Sequence, residues 1–294
     1  MTTAITGLLA DPHARTVLAT TATLGASCGL TGTLLVLRRR ALLGDAAGHA
    51  TLPGIVGAGA VSLGLGGTGR EPWVLVAGAV LGAVAGIAVV HWIRRATRLP
   101  ADAAMAIALG SLFGLGTAML SALQQVEGGH GAGLESLVTG DAATLVRADL
   151  QAAAAVAAAC AVLTVALRDD LRALAFDEDF SRSVGRPAGG LDALVSAMAI
   201  ANIVAGMRAV GLVLSVALLV IPAAAARPWC RTMGGMMVVA ALLGAAGAVA
   251  GTLASAAFAN APTGPFIVLS CGGLLAASLA IAPRVRGART GATA

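Results

Sequence analysis

The chain alternates long apolar runs with short polar stops. Runs near 16–37, 41–63, 72–93, 102–122, 149–167, 189–207, 209–226, 233–257 and 264–282 each hold at least eighteen residues with few charges. A helix needs about 20 such residues to cross a bilayer, so the pattern predicts an all-α polytopic membrane protein with nine transmembrane helices. Only Met207 and Arg208 separate the sixth and seventh runs, which leaves a tight hairpin or one broken helix, and so nine spans or eight. The runs are continuous rather than alternating with period two, which argues against a β-barrel. Two polar stretches stand out. Residues 168–186, RDDLRALAFDEDFSRSVGR, carry Leu171, Leu174, Phe180 and Val184 at helical spacing and predict a short surface helix. Residues 222–231, PAAAARPWCR, form a basic turn in which Trp229 suits a membrane interface. The stretch 123–134, with Glu127 and His130 among glycines, is expected to be a flexible polar loop. Residues 1–283 are expected to form one transmembrane domain and 284–294 a disordered tail.

Composition sharpens this picture in three places. The chain is 58% hydrophobic and 11% charged, too apolar for an ordinary soluble domain. Its net charge is +5, and all 19 basic residues are arginines. They sit at span ends rather than on one patch, which argues against nucleic acid as a partner. Alternating the loops puts Arg38–Arg40, Arg94, Arg95, Arg98, Arg168, Arg172, Arg182, Arg186, Arg227, Arg231, Arg284, Arg286 and Arg289 on one side. The positive-inside rule then places the N-terminus outside and the C-terminus in the cytoplasm of a cell-membrane protein. The first run lacks a basic leader and ends in Arg38-Arg39-Arg40, the mark of a retained span rather than a signal peptide. The four cysteines, Cys28, Cys160, Cys230 and Cys271, lie far apart without a Cys-x-x-Cys pair, so no disulfide frame or thiolate metal site is indicated. Glycine is abundant at 39 residues, and Gly25/Gly29, Gly82/Gly86 and Gly247/Gly251 have the spacing of close helix seams.

Residues 44–54, GDAAGHATLPG, place ionisable groups inside the second run. Asp45 and His49 are four apart and share one helix face. Each such group at bilayer depth costs about 2.5–3.5 kcal/mol, so the pair marks a pathway or a ligand site. Pro53 lacks an N–H and frees the His49 carbonyl one turn back, with Gly54 completing the kink. Three readings stay open: a structural pair satisfying its own hydrogen bonds, a proton relay, or a site for a passing Zn²⁺ or Mn²⁺ ion. Two side chains cannot saturate a tetrahedral metal, but two copies related by a two-fold axis supply four ligands. No G-x-x-x-x-G-K-[ST] loop occurs, so the chain itself is not expected to bind ATP. His91 lies at a span end beside Trp92, and Asp102 opens the fourth run after Pro100 as a candidate helix cap.

The segment RRRALLGDAAGHATLPG resembles the second-helix signature of the zinc/manganese/iron ABC-transporter permease family. Further collinear likenesses are DAAMAIALGSLFGLGTAMLS, LVTGDAATLV, AFDEDFSRSVG, AVGLVLSVALLVIPAAAAR and APTGPFIVL, together spanning about residues 30–280. The resemblance implies a permease, not an enzyme, that works as a pair. It would be driven by a separate cytoplasmic ABC ATPase and supplied by an extracytoplasmic metal-binding protein. Its metal ligands fall on Asp45 and His49. Zinc or manganese would be transported cargo rather than a bound cofactor. Coupling to the ATPase is expected first in 223–233, through Ala225, Arg227, Trp229 and Arg231, and second in 168–186. Gly48 stands where many relatives have serine, and Arg208 where a neutral polar residue is common.

Two alternatives accompany this reading. A stand-alone secondary transporter would use Asp45 and His49 as a proton relay and show an inverted repeat, which is not evident here. A permease for a metal chelate would need a wide cavity without inward ligands.

Overall fold

The computed structural model of the chain describes residues 11–69, 71–125, 144–258 and 262–291. The outer loop with Glu127 and His130, the LVTGDAA part of the likeness LVTGDAATLV, and Arg70 lie outside the described residues. Apolar runs become helices: α1 (Pro12–Leu37), α2 (Ala41–Gly64), α3 (Pro72–Ala96), α4 (Ala101–Gln124) and α5 (Arg147–Ala166). Two short helices follow, α6 (Arg168–Phe176) and α7 (Glu178–Ser183). Then come α8 (Ala188–Gly206), α9 (Leu212–Ala226), a 3₁₀ turn (Arg227–Trp229), α10 (Met233–Ala257) and α11 (Thr263–Gly291). No strand occurs among the described residues, in keeping with the expected all-α architecture. The last helix continues to Gly291, through residues read from the sequence as tail.

Among the described residues eight helices are long and apolar enough to cross a membrane. The ninth apolar helix, α9, has 15 residues and a length of about 22 Å at 1.5 Å per residue. The sixth and seventh runs are therefore two helices, and they are antiparallel. The start of α9 lies near Arg208, which pairs with Asp149 at the beginning of α5. Its far end packs Ala223 and Ala226 against Val36 and Leu37 at the end of α1. Gly211 makes the reversal possible with φ 93°, a conformation that favours glycine. Asp102 falls at the second residue of α4, since Pro100 holds the cap position.

Helix α1 forms the centre, packed by α5, α8, α9 and α10, while α2 joins α3 and α4 to this body through α8 and α9. Without water to expel between helices in lipid, association depends on close van der Waals approach and polar pins. All three glycine seams serve this purpose. A Cβ on Gly25 or Gly29 would overlap the carbonyls of Gly244 and Ala240, and one on Gly251 would overlap the Ile267 backbone. Gly82 and Gly86 face Ala50 of α2 in the same way. The main polar pin is Asn202, fully buried, whose side-chain amide donates to the Met198 carbonyl at 2.8 Å and Thr31 Oγ1 at 3.1 Å.

The loop after α2 is tied by Glu71, which accepts from the Ser62 hydroxyl at 2.7 Å and the Thr68 amide at 2.7 Å. Those bonds, the Ser62 one foremost, hold its carboxyl down at about 2. The charged form is favoured, so this tie persists above the ordinary carboxylate range and is lost as pH falls toward about 2.

Packing at the α2–α3 seam generates a paired test. Gly54→Ala drives a methyl group into the Gly78 carbonyl and is expected to destabilise the purified protein by about 1–3 kcal/mol. Gly110→Ala, which meets open space, is expected to change stability by less than about 0.5 kcal/mol. Thermal unfolding of both variants in the same detergent checks this.

Candidate metal site

Helix α2 carries Asp45 and His49 one turn apart, and the fold brings their side chains together. His49 Nε2 lies 3.3 Å from Asp45 Oδ1. The imidazole is 12% exposed and the carboxylate 32%, so the pair is sheltered but open on the Asp45 side. A carboxylate facing Nε2 selects the tautomer with its proton there. That leaves the Nδ1 lone pair, which is buried and has no hydrogen-bond partner among the described residues. The geometry fits both side chains to one cation: ligand atoms about 2.0–2.2 Å from a tetrahedral ion stand about 3.3 Å apart. That is the separation of His49 Nε2 from Asp45 Oδ1, so an ion that displaces the Nε2 proton can be held by both. Among the described residues no cluster of three or more His, Cys, Asp or Glu side chains forms, so one chain offers this site two ligands.

Neighbouring helices shape the walls. Phe113 of α4 presents its ring edge-on to the imidazole, with centroids 4.7 Å apart at 78°. Gly48 backs onto α9 and α8, where a Cβ would stand 2.6 Å from Val216 Cγ2 of α9 and 3.9 Å from Ile203 Cδ1 of α8. Thr51 folds its hydroxyl back onto the Gly48 carbonyl at 2.6 Å. Pro53 lies inside α2, as expected, and its ring is received by Gly116 of α4, where a Cβ would come within 2.8 Å of Pro53 Cδ. Gly54 faces the Gly78 carbonyl and the Gly82 backbone of α3. Sequence reading missed Phe113, Val216 and Ile203 as wall residues. Phe113 was detectable as the aromatic residue within the SLFGLG likeness, whereas Val216 and Ile203 are apolar residues in apolar runs.

Two tryptophans give the depth of the pair. Trp73 and Trp92, at opposite ends of α3, are 74% and 70% exposed, as aromatic anchors at two interfaces should be. Nineteen residues of helix separate them by about 28 Å, close to the roughly 30 Å of a hydrocarbon core. Gly86 of α3 faces Ala46 and Ala50, and it lies six residues, about 9 Å, from Trp92. Asp45 and His49 thus lie within the apolar layer, nearer the arginine-rich end.

Residues expected to couple to an ATPase divide in two. Arg227, Trp229 and Arg231 are exposed on the turn after α9. Ala225 is buried, and its carbonyl accepts from Ser278 Oγ, which in turn accepts from the Trp229 indole, both at 2.7 Å. The second segment folds as α6 and α7 and leaves Phe176, Phe180 and Val184 exposed. Arg208 finds a role as the partner of Asp149 at 2.7 Å, tying the α8–α9 reversal to α5.

The helices define a polytopic membrane protein, and one of its spans bears a sheltered carboxylate–imidazole pair. A model of the ABC 3 transport family matches residues 11–282. The chain belongs to that family, as the collinear likenesses over about residues 30–280 implied. Membership makes it a membrane component of an ABC transporter rather than an enzyme. It is 34% identical over 281 residues to the zinc transport system membrane protein TroC of Treponema pallidum, covering 96% of this chain and 93% of that one. It is also 34% identical over 278 residues to the manganese transport system membrane protein MntC of Bacillus subtilis. That alignment covers 94% of this chain and 62% of the Bacillus protein's length. PsaBC from Streptococcus pneumoniae, solved in complex with Fab, superposes with a TM-score of 0.82 at 26% identity, covering 97% of both chains.

The Gly48 wall yields a prediction. Gly48→Ser forces the stiff Val216 side chain aside and is expected to destabilise by about 1–3 kcal/mol. Adding Val216→Ala is expected to recover most of that loss, so denaturant unfolding of the double-mutant cycle should show coupling of about 0.5 kcal/mol or more.

Proposed function

We propose that the chain is the permease subunit of an ABC importer for a divalent transition metal, zinc or manganese, and that the ion passes the Asp45/His49 pair. The observation that carries this reading is a carboxylate and an imidazole held together in the apolar layer, with Asp45 Oδ1 and His49 Nε2 3.3 Å apart and the pair open on the carboxylate side. Relatives named for zinc and manganese transport support the cargo class. Asp and His suit tetrahedral zinc, and carboxylates with added water serve octahedral manganese.

The mechanism follows from the number of ligands. Two per chain make a weak site, and a second permease copy facing it across a two-fold axis brings the set to four. An ion delivered outside by a metal-binding protein exchanges its carrier's ligands for this set. The arginine-rich end faces the cytoplasm by the positive-inside rule, where a separate ABC ATPase supplies the work. Its docking face comprises exposed Arg227, Trp229 and Arg231 on the turn after α9 and, as a second part, exposed Phe176, Phe180 and Val184 on α6–α7. Family membership favours this ATP-driven scheme over an ion-coupled secondary transporter. Ligating side chains in the apolar layer favour the bare ion over a chelate.

Asp45→Ala and His49→Ala are each expected to reduce zinc or manganese accumulation to the level of membranes without the permease, while assembly and ATP hydrolysis persist. Uptake of the radioactive ions into vesicles carrying the full complex measures this. Undiminished uptake in both variants sinks the site assignment even if the complex remains a metal importer.

A further inference from the structure

Four charged side chains at the arginine-rich end form a closed set outside the metal site. Arg38 bonds Asp192 Oδ1 through one guanidinium nitrogen and Glu178 Oε2 at 3.3 Å through another. Arg40 repeats the pattern, at 2.6 Å to Asp192 Oδ1 and 3.3 Å to Glu178 Oε2. The Arg38 side chain is 4% exposed, Asp192 15% and Arg40 19%. Three elements meet here: the α1–α2 turn, the second turn of α8 and the start of α7.

Backbone geometry at the turn serves this set. The Arg40 amide donates to the Leu35 carbonyl and the Arg39 amide to Val36, the two bonds of a Schellman helix end. Its left-handed position is normally glycine, yet Arg39 occupies it with φ 55°. This conformation turns Arg39 to solvent and lets Arg38 and Arg40 reach the same two carboxylates. Glu178 has a further cation, Arg182, at 2.6 Å on its other oxygen. The Arg182 side chain is 62% exposed, so Glu178 stands between a buried pair of cations and an outer one.

We propose that Arg38, Arg40, Glu178 and Asp192 are positioning residues that transmit movement of α6–α7 to α2 and so to Asp45. The proposal rests on the permease reading above. Arg40 immediately precedes α2, and Asp45 follows five residues later, about 7.5 Å along a stiff helix. Withdrawing Glu178 would leave two largely buried guanidiniums sharing one carboxylate, an arrangement that is strongly disfavoured. The α2 N-terminus must then follow α7 or rearrange, while Arg182 keeps Glu178 paired. That is a two-state element joining the ATPase-facing surface to the metal site.

The test uses the complete complex of permease, ATPase and binding protein in liposomes, with zinc and manganese ions as probes. Glu178→Gln is expected to keep assembly and ATP hydrolysis but to lower metal moved per ATP by about tenfold, a usual factor for coupled sites. The charge exchange Glu178→Arg with Arg40→Glu is expected to restore most of it. Hydrogen exchange of residues 41–50 gives a readout independent of cargo. In the wild type it changes on ATP binding to the ATPase, and in Glu178→Gln that change is lost. If the wild-type complex moves neither ion, the permease reading fails and the exchange result alone judges the linkage. Glu178→Gln matching the wild type in both readouts overturns the proposal. So does an assembled charge exchange that restores neither.

Discussion

Close approach of backbone to backbone between α2 and α3 is the constraint on which the site depends. Gly54, Gly78 and Gly82 let these helices meet without intervening side chains. The approach leaves room for Pro53 to sit against Gly116 and for the imidazole of His49 to meet Phe113. In a membrane the helices have little hydrophobic reason to associate, so contact area must come from such approach. The tightness around α2 pins the helix that bears the ionisable pair, and the pair's remaining freedom is confined to its open Asp45 side. A site that binds and releases an ion benefits from this division, rigid behind and open in front.

Much of this was legible because lipid imposes strict rules on composition. Every apolar run became a helix, and the three glycine spacings proved to be contact seams. Asp45 and His49 announced themselves as charge-bearing residues where charge is costly, and their i, i+4 spacing required proximity. What could not be read were contacts between runs of similar apolar residues. Nothing in the letters Val216 or Ile203 says which helix they face. The Arg38/Arg40 set was hidden for another reason: its carboxylates lie some 140 and 150 residues away, and helix periodicity carries no information across that distance. Ala225 shows the converse error, since a residue adjacent to exposed arginines is itself buried.

Charge is distributed unevenly, and the two charged groupings do different work. At the arginine-rich end, Glu178 of α7 and Asp192 of α8 gather Arg38, Arg40 and Arg182 into one set of ion pairs, while Asp170 of α6 holds Arg186 at 2.7 Å. Within the apolar layer one carboxylate and one imidazole lean on each other. The first grouping is secured by several partners each, the second by a single contact at 3.3 Å. Multiple partners hold the elements together at that end, whereas the pair within the apolar layer depends on one contact.

Helix α9 has a consequence of a different kind. Val216, on this helix, stands against Gly48, so the shortest apolar helix among the described residues is also the one that walls the site. Its length of about 22 Å falls short of the roughly 30 Å of surrounding hydrocarbon. The reversal at Met207–Gly211 makes up part of the difference, and there Arg208 pairs with Asp149 at the start of α5. A mismatch between protein and bilayer thickness therefore bears on α9 before the longer helices, and Val216 passes any shift of α9 to Gly48, beside Asp45 and His49.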